Sequence, residues 1–254
     1  MLSQTIPSEI KKVLITGGSG FIGGAVIRRL LQDSDVFIFN LDKMGYASDE
    51  TGIKNNLAKI PNHGSDRYRL LKVDLANEAK TTEAINFSDP DLILHLAAES
   101  HVDRSIEGPR QFIQSNILGT YNLLESTRTH WDKLETSRKK IFRFHHISTD
   151  EVFGSLDDNK SKFNESSPYD PRSPYSASKA SSDHLVNAWY ETYGIPIIIT
   201  NCSNNYGPWQ FPEKLIPITI LKALKGEKIP LYGDGKNIRD WLFVEDHVDA
   251  LIAA

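Results

Sequence analysis

Two stretches carry side chains whose types and spacing could move protons. In the first, a mostly apolar run from Ile141 to Ile147 leads straight into Ser148, Thr149, Asp150 and Glu151 and stops at Gly154. In the second, Tyr175 and Lys179 stand four residues apart, which on a helix puts them on one face a single turn apart. An ammonium beside a phenol favours the phenolate and draws its pKa from about 10 toward neutrality, each unit being worth about 1.4 kcal/mol. A tyrosine tuned in this way can take a proton from an alcohol while a hydride leaves the same carbon. Neither pattern is decisive alone. An Asp-Glu pair at a strand end is most simply solvated loop, and a helical Tyr/Lys pair most simply surface. Burying both carboxylates unpaired would be costly, so their setting has to decide.

That setting is an alternation of strands and helices. Lys12–Thr16 is a short apolar run broken by Gly17, Gly20 and Gly23, after which Ile22, Val26 and Leu30 recur at helical spacing. A second strand, Val36 to Leu41, ends in Asp42, about twenty residues past the glycines, as in a dinucleotide-binding turn. Glycines admit the backbone to a pyrophosphate, the helix N-terminus offers N–H donors, and Asp42 can accept from a ribose hydroxyl. Asp42 would repel a 2′-phosphate, favouring NAD over NADP, which neighbouring Lys43 tempers.

Further strands are expected over Tyr68–Val73, Asp91–Leu96, the Ile141 stretch and Ile195–Thr200. Helices are expected over Glu78–Phe87, over Pro109–Thr127 with Ile113, Ile117, Tyr121 and Leu124 on one stripe, and from Ser173 to about Tyr190. The pattern predicts an α/β fold with a Rossmann-type doubly wound parallel sheet. In such sheets ligands bind beyond the carboxyl ends of the strands, where Thr149, Asp150 and Glu151 would lie. Asp157 to Lys160 reads as a solvated loop. Beyond the sixth strand come a helix over Glu213–Lys225, extended pieces at Ile229–Tyr232 and Arg239–Val244, and a helix from Glu245 onward.

The bulk numbers narrow the class. At 254 residues, 39% hydrophobic and 24% charged, the chain suits one large domain or one domain with part of another. A net charge of −4 gives no footprint for nucleic acid. There is no membrane-length apolar run and no basic-then-apolar leader, so a cytoplasmic setting is the default. Cys202, the single cysteine, excludes an internal disulfide and reads as a small buried residue. No metal is expected: His145 and His146 are neighbours on a strand and point to opposite faces, and the other histidines lie on separate elements.

With these pieces assembled, the sequence resembles the extended short-chain dehydrogenase/reductase family. Thr16 through Gly23 is similar to its cofactor loop and Tyr175-x-x-x-Lys179 to its Tyr/Lys pair. Leu96 through Ser105, Thr149-Asp150-Glu151, Asn204 through Pro208, Gln210 through Pro217 and Gly233 through Trp241 resemble the nucleotide-sugar dehydratases within it. The resemblance implies NAD as cofactor, dTDP-glucose as substrate, and a homodimer formed through the two long helices. It implies that Tyr175, helped by Lys179 and Thr149, is the base for the sugar 4-hydroxyl, that Glu151 takes the C5 proton, and that Asp150 protonates the departing 6-hydroxyl.

For the cofactor the resemblance points to Phe21, Ile22, Asp42, Lys43, Met44, Gly45, Asp74, Leu75, Leu96, Ala97, Ala98, Glu99, Ser100, Ser115 and Asn205. For the nucleotide sugar it points to Ser100, Thr149, Asn204, Lys214, Leu215, Pro230, Leu231, Tyr232 and Arg239. It also divides the chain into a cofactor domain over 1–203 and a smaller substrate domain over 204–254, expected to be incomplete because family members run on past Ala254. The rival expectations are a nucleotide-sugar epimerase or decarboxylase, for which Asp150 has no necessary role, and a non-catalytic NAD-binding regulator.

Overall fold

The structure, a computed structural model, describes residues 6–60, 64–156, 162–231 and 233–254. Asp157 to Lys160 and Tyr232 lie outside them. Six strands, β1 (Lys12–Thr16), β2 (Phe37–Asp42), β3 (Tyr68–Lys72), β4 (Leu92–His95), β5 (Arg143–Thr149) and β6 (Ile197–Cys202), form one parallel sheet in the order β3-β2-β1-β4-β5-β6. This is the doubly wound order expected of a dinucleotide fold. Because helices cover both faces, the central strands are buried almost throughout.

Alternate residues of β1 feed two separate cores. Val13 and Ile15 pack with Val26, Leu30 and Ile38 under helix α1 (Phe21–Asp33), while Leu14 packs with Phe39, Ile93, Leu123, Phe144 and Val186 on the other face. At the amino ends of the strands, Asp91 accepts from the backbone N–H groups of Lys11 and Lys12 and from Arg138, which also reaches Asp89. That ion cluster fastens the bottom of the sheet and leaves the carboxyl ends free for chemistry.

Sequence periodicity places most elements to within a few residues but misses α2 (Thr51–Leu57), α4 (Val102–Glu107) and α7 (Thr136–Ile141). Each is seven residues or shorter, too brief to show a helical period. α3 covers Glu78–Ser88. The long helix expected from Pro109 runs on to Lys133, but as α5 (Pro109–Phe112), a π-helical stretch at Ile113–Leu118 and α6 (Gly119–Lys133). A π turn widens the helix and shifts the phase of the residues after it. The expected stripe therefore faces the core only in part: Leu124 is buried, but Ile113 and Tyr121 are exposed, and Phe112, Asn116 and Leu123 are buried in their place.

Helix α8 (Pro174–Tyr193) begins with a reciprocal cap between Ser173 and Ser176 and ends at Gly194 in the left-handed region. After β6 the chain adds β7 (Asn204–Tyr206), α9 (Leu215–Leu224), β8 (Trp241–Phe243), which pairs with β7, and α10 (Val244–Ala253). Residues 229–231, expected to be extended, join no strand. Val244, Val248 and Leu251 of α10 enter the core beneath α1, and Arg29 pairs with Asp249 at 2.9 Å. The last helix thus packs on the cofactor-binding half. Among the described residues no helix is long and apolar enough to cross a membrane.

Five histidines are buried among the described residues, His130 among them, and burial lowers the pKa of each. Burial holds His95 well below its ordinary value, and burial first, with neighbouring charge second, holds His145 and His146 at about 4; burial alone does so for His247. Below pH about 6.5 the unfolded chain binds protons that these rings refuse when folded, so stability must fall as pH falls. The thermal unfolding midpoint is expected to drop steadily between pH 6.5 and pH 4. A midpoint flat across that range would contradict the buried, neutral assignment.

Candidate active site

At the carboxyl ends of the strands lies a cavity of about 500 Å³, walled by the loops that follow β1, β2, β3, β4, β5 and β6. Gly17 begins the first loop at φ +70, where a Cβ would lie 2.7 Å from the backbone of Ala97. Only glycine permits that approach of two strand ends. The first turn of α1 has no side-chain cap, so its leading N–H groups point at the cavity unpartnered by a side chain. Asp42 accepts from the backbone N–H of Ser19 at 3.1 Å and of Met44 at 2.7 Å, and from the Ser48 hydroxyl at 2.9 Å. Lys43, expected to temper the exclusion of a 2′-phosphate, is committed elsewhere: its Nζ lies 2.6 Å from Glu99 and 3.1 Å from Ser115. These residues suit a dinucleotide with an unmodified ribose.

The π-helical stretch has a local purpose. Asn116 accepts from the Glu99 N–H, donates to the Glu99 carbonyl and donates to Ser178, tying the loop after β4 to α8. Ser115 beside it lines the cavity. Nothing in the spacing of the sequence announces the π turn. A buried asparagine in an otherwise amphipathic helix is the only trace.

Thr149, Glu151, Tyr175 and Lys179 share this cavity with the glycine loop, as the sequence predicts. Asp150 begins a short 3-10 turn (Asp150–Phe153) that ends at Gly154, where φ is +84 and a Cβ would meet the Asp170 carbonyl at 2.7 Å. Glu151 is held above its usual range by burial and then by Asp150, against Arg239 and Lys214. Asp150 is also raised, chiefly by burial.

One expectation needs correction. Burial, reinforced by Glu151, pushes the Tyr175 phenol upward in the protein alone, with Thr149 pulling the other way. Lys179 does not reverse this, because its ammonium donates to the Ile147 carbonyl at 2.9 Å. Burial in turn lowers the lysine itself. The distance-free pairing of two side chains on one face cannot reveal that a buried ammonium will first satisfy a carbonyl.

Most of the other expected residues also reach the cavity. Gly20, Phe21, Ile22, Gly23, Gly45, Asp74, Leu75, Leu96 through Ser100, Asn204, Asn205, Lys214, Leu215 and Arg239 line it. Met44, Asp150, Pro230 and Leu231 are not part of its wall, and Leu231 is 74% exposed. Sequence reasoning missed Tyr46, Ser48 and Glu213. Tyr46 donates to Glu213 at 2.9 Å and lies under the Arg104 guanidinium, so it braces the cofactor loop against the segment that carries Lys214. Cys202 lines the cavity too, its thiol pushed up to about 11 chiefly by burial, which leaves it protonated and unreactive. Among the described residues no group of three or more histidine, cysteine or acidic side chains could hold a metal ion.

Glycine loop, doubly wound sheet and Tyr-x-x-x-Lys helix define an extended short-chain dehydrogenase/reductase. Residues 14–254 match the family model described as GDP-mannose 4,6 dehydratase. The chain is 53% identical over 242 residues to the dTDP-glucose 4,6-dehydratase of Neisseria meningitidis serogroup B, covering 95% of this chain and 66% of that protein. It is 53% identical to that of Salmonella typhimurium, covering 94% and 67%. A crystal structure of a double mutant of the dTDP-glucose 4,6-dehydratase from Streptomyces venezuelae, with NAD bound, superposes at a TM-score of 0.84 and 37% identity, covering 95% of this chain and 70% of that one. The chain belongs to the dTDP-glucose 4,6-dehydratase family. It spans about two thirds of the length of the curated relatives it matches.

The raised Glu151 carboxyl owes part of its shift to the Asp150 charge, so Asp150→Asn should lower it. Titration of the Glu151 side-chain carboxyl by 13C NMR checks this. An unmoved Glu151 would mean that the two carboxylates do not share a field.

Proposed function

We propose that the chain binds NAD in the cavity above the strand ends and dehydrates dTDP-glucose to dTDP-4-keto-6-deoxyglucose. The observation that carries this reading is the convergence of Glu151, Thr149, Tyr175 and Lys179 on one cavity with the Gly17 loop. When bound, NAD accepts a hydride from C4 of the sugar and later returns it to C6. Tyr175 takes the proton of the 4-hydroxyl, oriented by Thr149 and supported by the charge of Lys179. The resulting ketone acidifies the C5 proton, which Glu151 removes and gives back to C5 when the hydride reaches C6. Asp150 supplies the proton that lets the 6-hydroxyl leave as water. An epimerase or decarboxylase needs no acid at the 6-hydroxyl, and a non-catalytic regulator needs no carboxylate pair beside Tyr175 and Lys179. Asp150 next to Glu151 at the end of β5 therefore favours elimination.

Residues 1–203 supply the cofactor site and 204–254 the start of the sugar-nucleotide site. Lys214, whose Nζ donates to the Ser100 carbonyl at 3.1 Å, and Arg239 face the diphosphate as a point charge and a fork of donors. Pro230, Leu231 and Tyr232 belong to the same expected substrate-contacting segment. The exposed Ile113, Leu118, Tyr121, Tyr190 and Tyr193 on the two long helices support a homodimer through those faces. A cytoplasmic setting fits an enzyme that uses NAD and a nucleotide sugar.

Incubation with dTDP-glucose should yield a product lighter by one water in the mass spectrum, and an unchanged substrate pool would remove the reading. Glu151→Gln should lower turnover by roughly 10²- to 10⁴-fold and abolish deuterium exchange at C5. Exchange that persists would reassign the C5 base. Replacing Glu99 by Gln should release Lys43 and raise the affinity for NADP, measured by fluorescence quenching against NAD. Equal affinities in the parent protein would refute the role given to Asp42.

A further inference from the structure

Directly behind the Tyr175/Lys179 pair lies a carboxylate that the proposed reaction does not use. Asp183 stands one helical turn past Lys179 on α8 and is 1% exposed. Three donors from outside its helix converge on it: His146 Nε2 at 3.0 Å, Ser148 Oγ at 2.8 Å and Tyr169 OH at 3.1 Å. His146 and Ser148 are alternate residues of β5 and so share a face, with Ile147 between them. The carbonyl of Ile147 is the group that receives the Lys179 ammonium. One carboxylate therefore grips β5 on both sides of the carbonyl that holds the lysine.

Its charge matters as well as its grip. Lys179 is 4% exposed, and a buried ammonium requires a compensating negative group. Among the described residues no carboxylate lies within ion-pair distance of Lys179, and Asp183 is the carboxylate whose field raises it. Asp183 stays ionised: burial opposes this, but the bond from His146, the charge of Lys179 and the bond from Ser148 outweigh it. An ionised carboxylate only accepts, so His146 carries its proton on Nε2, and its Nδ1 is buried without a partner. The titratable groups around Asp183 are His146 on β5, Tyr169 on the preceding loop and Lys179 on its own helix. His95 of β4 lies behind His146, with ring centres 5.1 Å apart, and His184 lies beside Tyr169 at 4.9 Å. Both rings of the β4/β5 pair are neutral, which leaves Asp183 and Lys179 as the charged members of this buried layer.

We propose that Asp183 is a positioning residue for the Tyr175/Lys179 pair. It fixes β5 against α8 so that the Ile147 carbonyl receives Lys179, and it supplies the counter-charge that keeps the ammonium protonated. The consequence for turnover rests on the reaction proposed above, whereas the effect on Lys179 does not. The same clamp fixes the approach of Thr149, Asp150 and Glu151, which follow Ser148 directly. Proton removal on α8 and elimination at the end of β5 are thereby held in one register.

The test is a 13C NMR titration of the Lys179 ε-carbon in the full chain, its signal identified by loss in Lys179→Arg. Asp183→Asn keeps the side chain's shape and removes its charge, and Lys179 is expected to titrate lower by about one unit, the order set by one buried charge a helical turn away. The basic limb of the kcat profile with dTDP-glucose should move down with it, giving about tenfold less turnover one unit above the parent's limb, with KM unchanged. The double variant Ser148→Ala/Tyr169→Phe keeps the charge and removes two of the three donors. It should move the lysine titration less, in the same direction, and lower kcat several-fold. If Asp183→Asn does not fold, this double variant decides. An unmoved Lys179 titration in a folded variant overturns the proposal. A parent chain that turns over no dTDP-glucose would sink the proposed reaction while leaving the lysine titration to judge Asp183.

Discussion

A lysine ammonium sealed against the inside of a parallel sheet sets the terms for everything around it. Lys179 is only 4% exposed, so much of its charge is met by a carbonyl and by a carboxylate rather than by water. In a sheet covered on both faces, carbonyls are spent on neighbouring strands, and only near the carboxyl end does one become available to a side chain. That confines the lysine to the level of Ile147. It also places the whole of α8, and Tyr175 with it, at the height where β5 opens into Thr149-Asp150-Glu151.

The layer beneath the site obeys the same rule. His95 sits between Thr16 and Thr120, and because the Thr120 hydroxyl is spent on the Asn116 carbonyl, the ring must donate to Thr120 through Nε2 and accept from Thr16 through Nδ1. Thr16 also accepts from the Ala97 N–H, beside the point where Gly17 comes closest. A neutral histidine thus joins the ends of β1 and β4 to the helix after β4. Were it charged, it would add a second cation beside Lys179 in a space holding one counter-charge. The low pKa values of His95 and His146 are part of the arrangement that lets Lys179 stay charged.

Much of this was legible in the sequence, for reasons that differ by residue. Strands buried on both faces read as apolar runs, and Gly17 through Gly23 followed by Asp42 announces itself through a spacing fixed by phosphate and ribose geometry. Tyr175 and Lys179 are legible because a helical turn has a fixed length. Asp183 lies at the same spacing again, yet nothing in the sequence marks it: its partners His146, Ser148 and Tyr169 come from other elements, and contacts between elements leave no period. The π turn at Ile113–Leu118 was hidden because the tertiary bonds between Asn116 and Glu99 that accompany it join separate elements. Tyr46 and Glu213, 167 residues apart, were hidden likewise. Asp150 shows the limit from the other side. The sequence places it correctly in a strand-end triplet, but the 3-10 turn that begins at it carries it out of the cavity wall that Glu151 lines.

The charges of the open side of the cavity complete the balance. Lys214 is itself lowered by burial, while Glu213, Glu151 and Asp103 hold it up. Lys214 and Arg239 together pull Glu151 down against burial and Asp150. A diphosphate that took up those cations would weaken their hold on Glu151 and make the carboxylate a stronger base. The two cations that oppose the rise of Glu151 are the two proposed to hold the diphosphate.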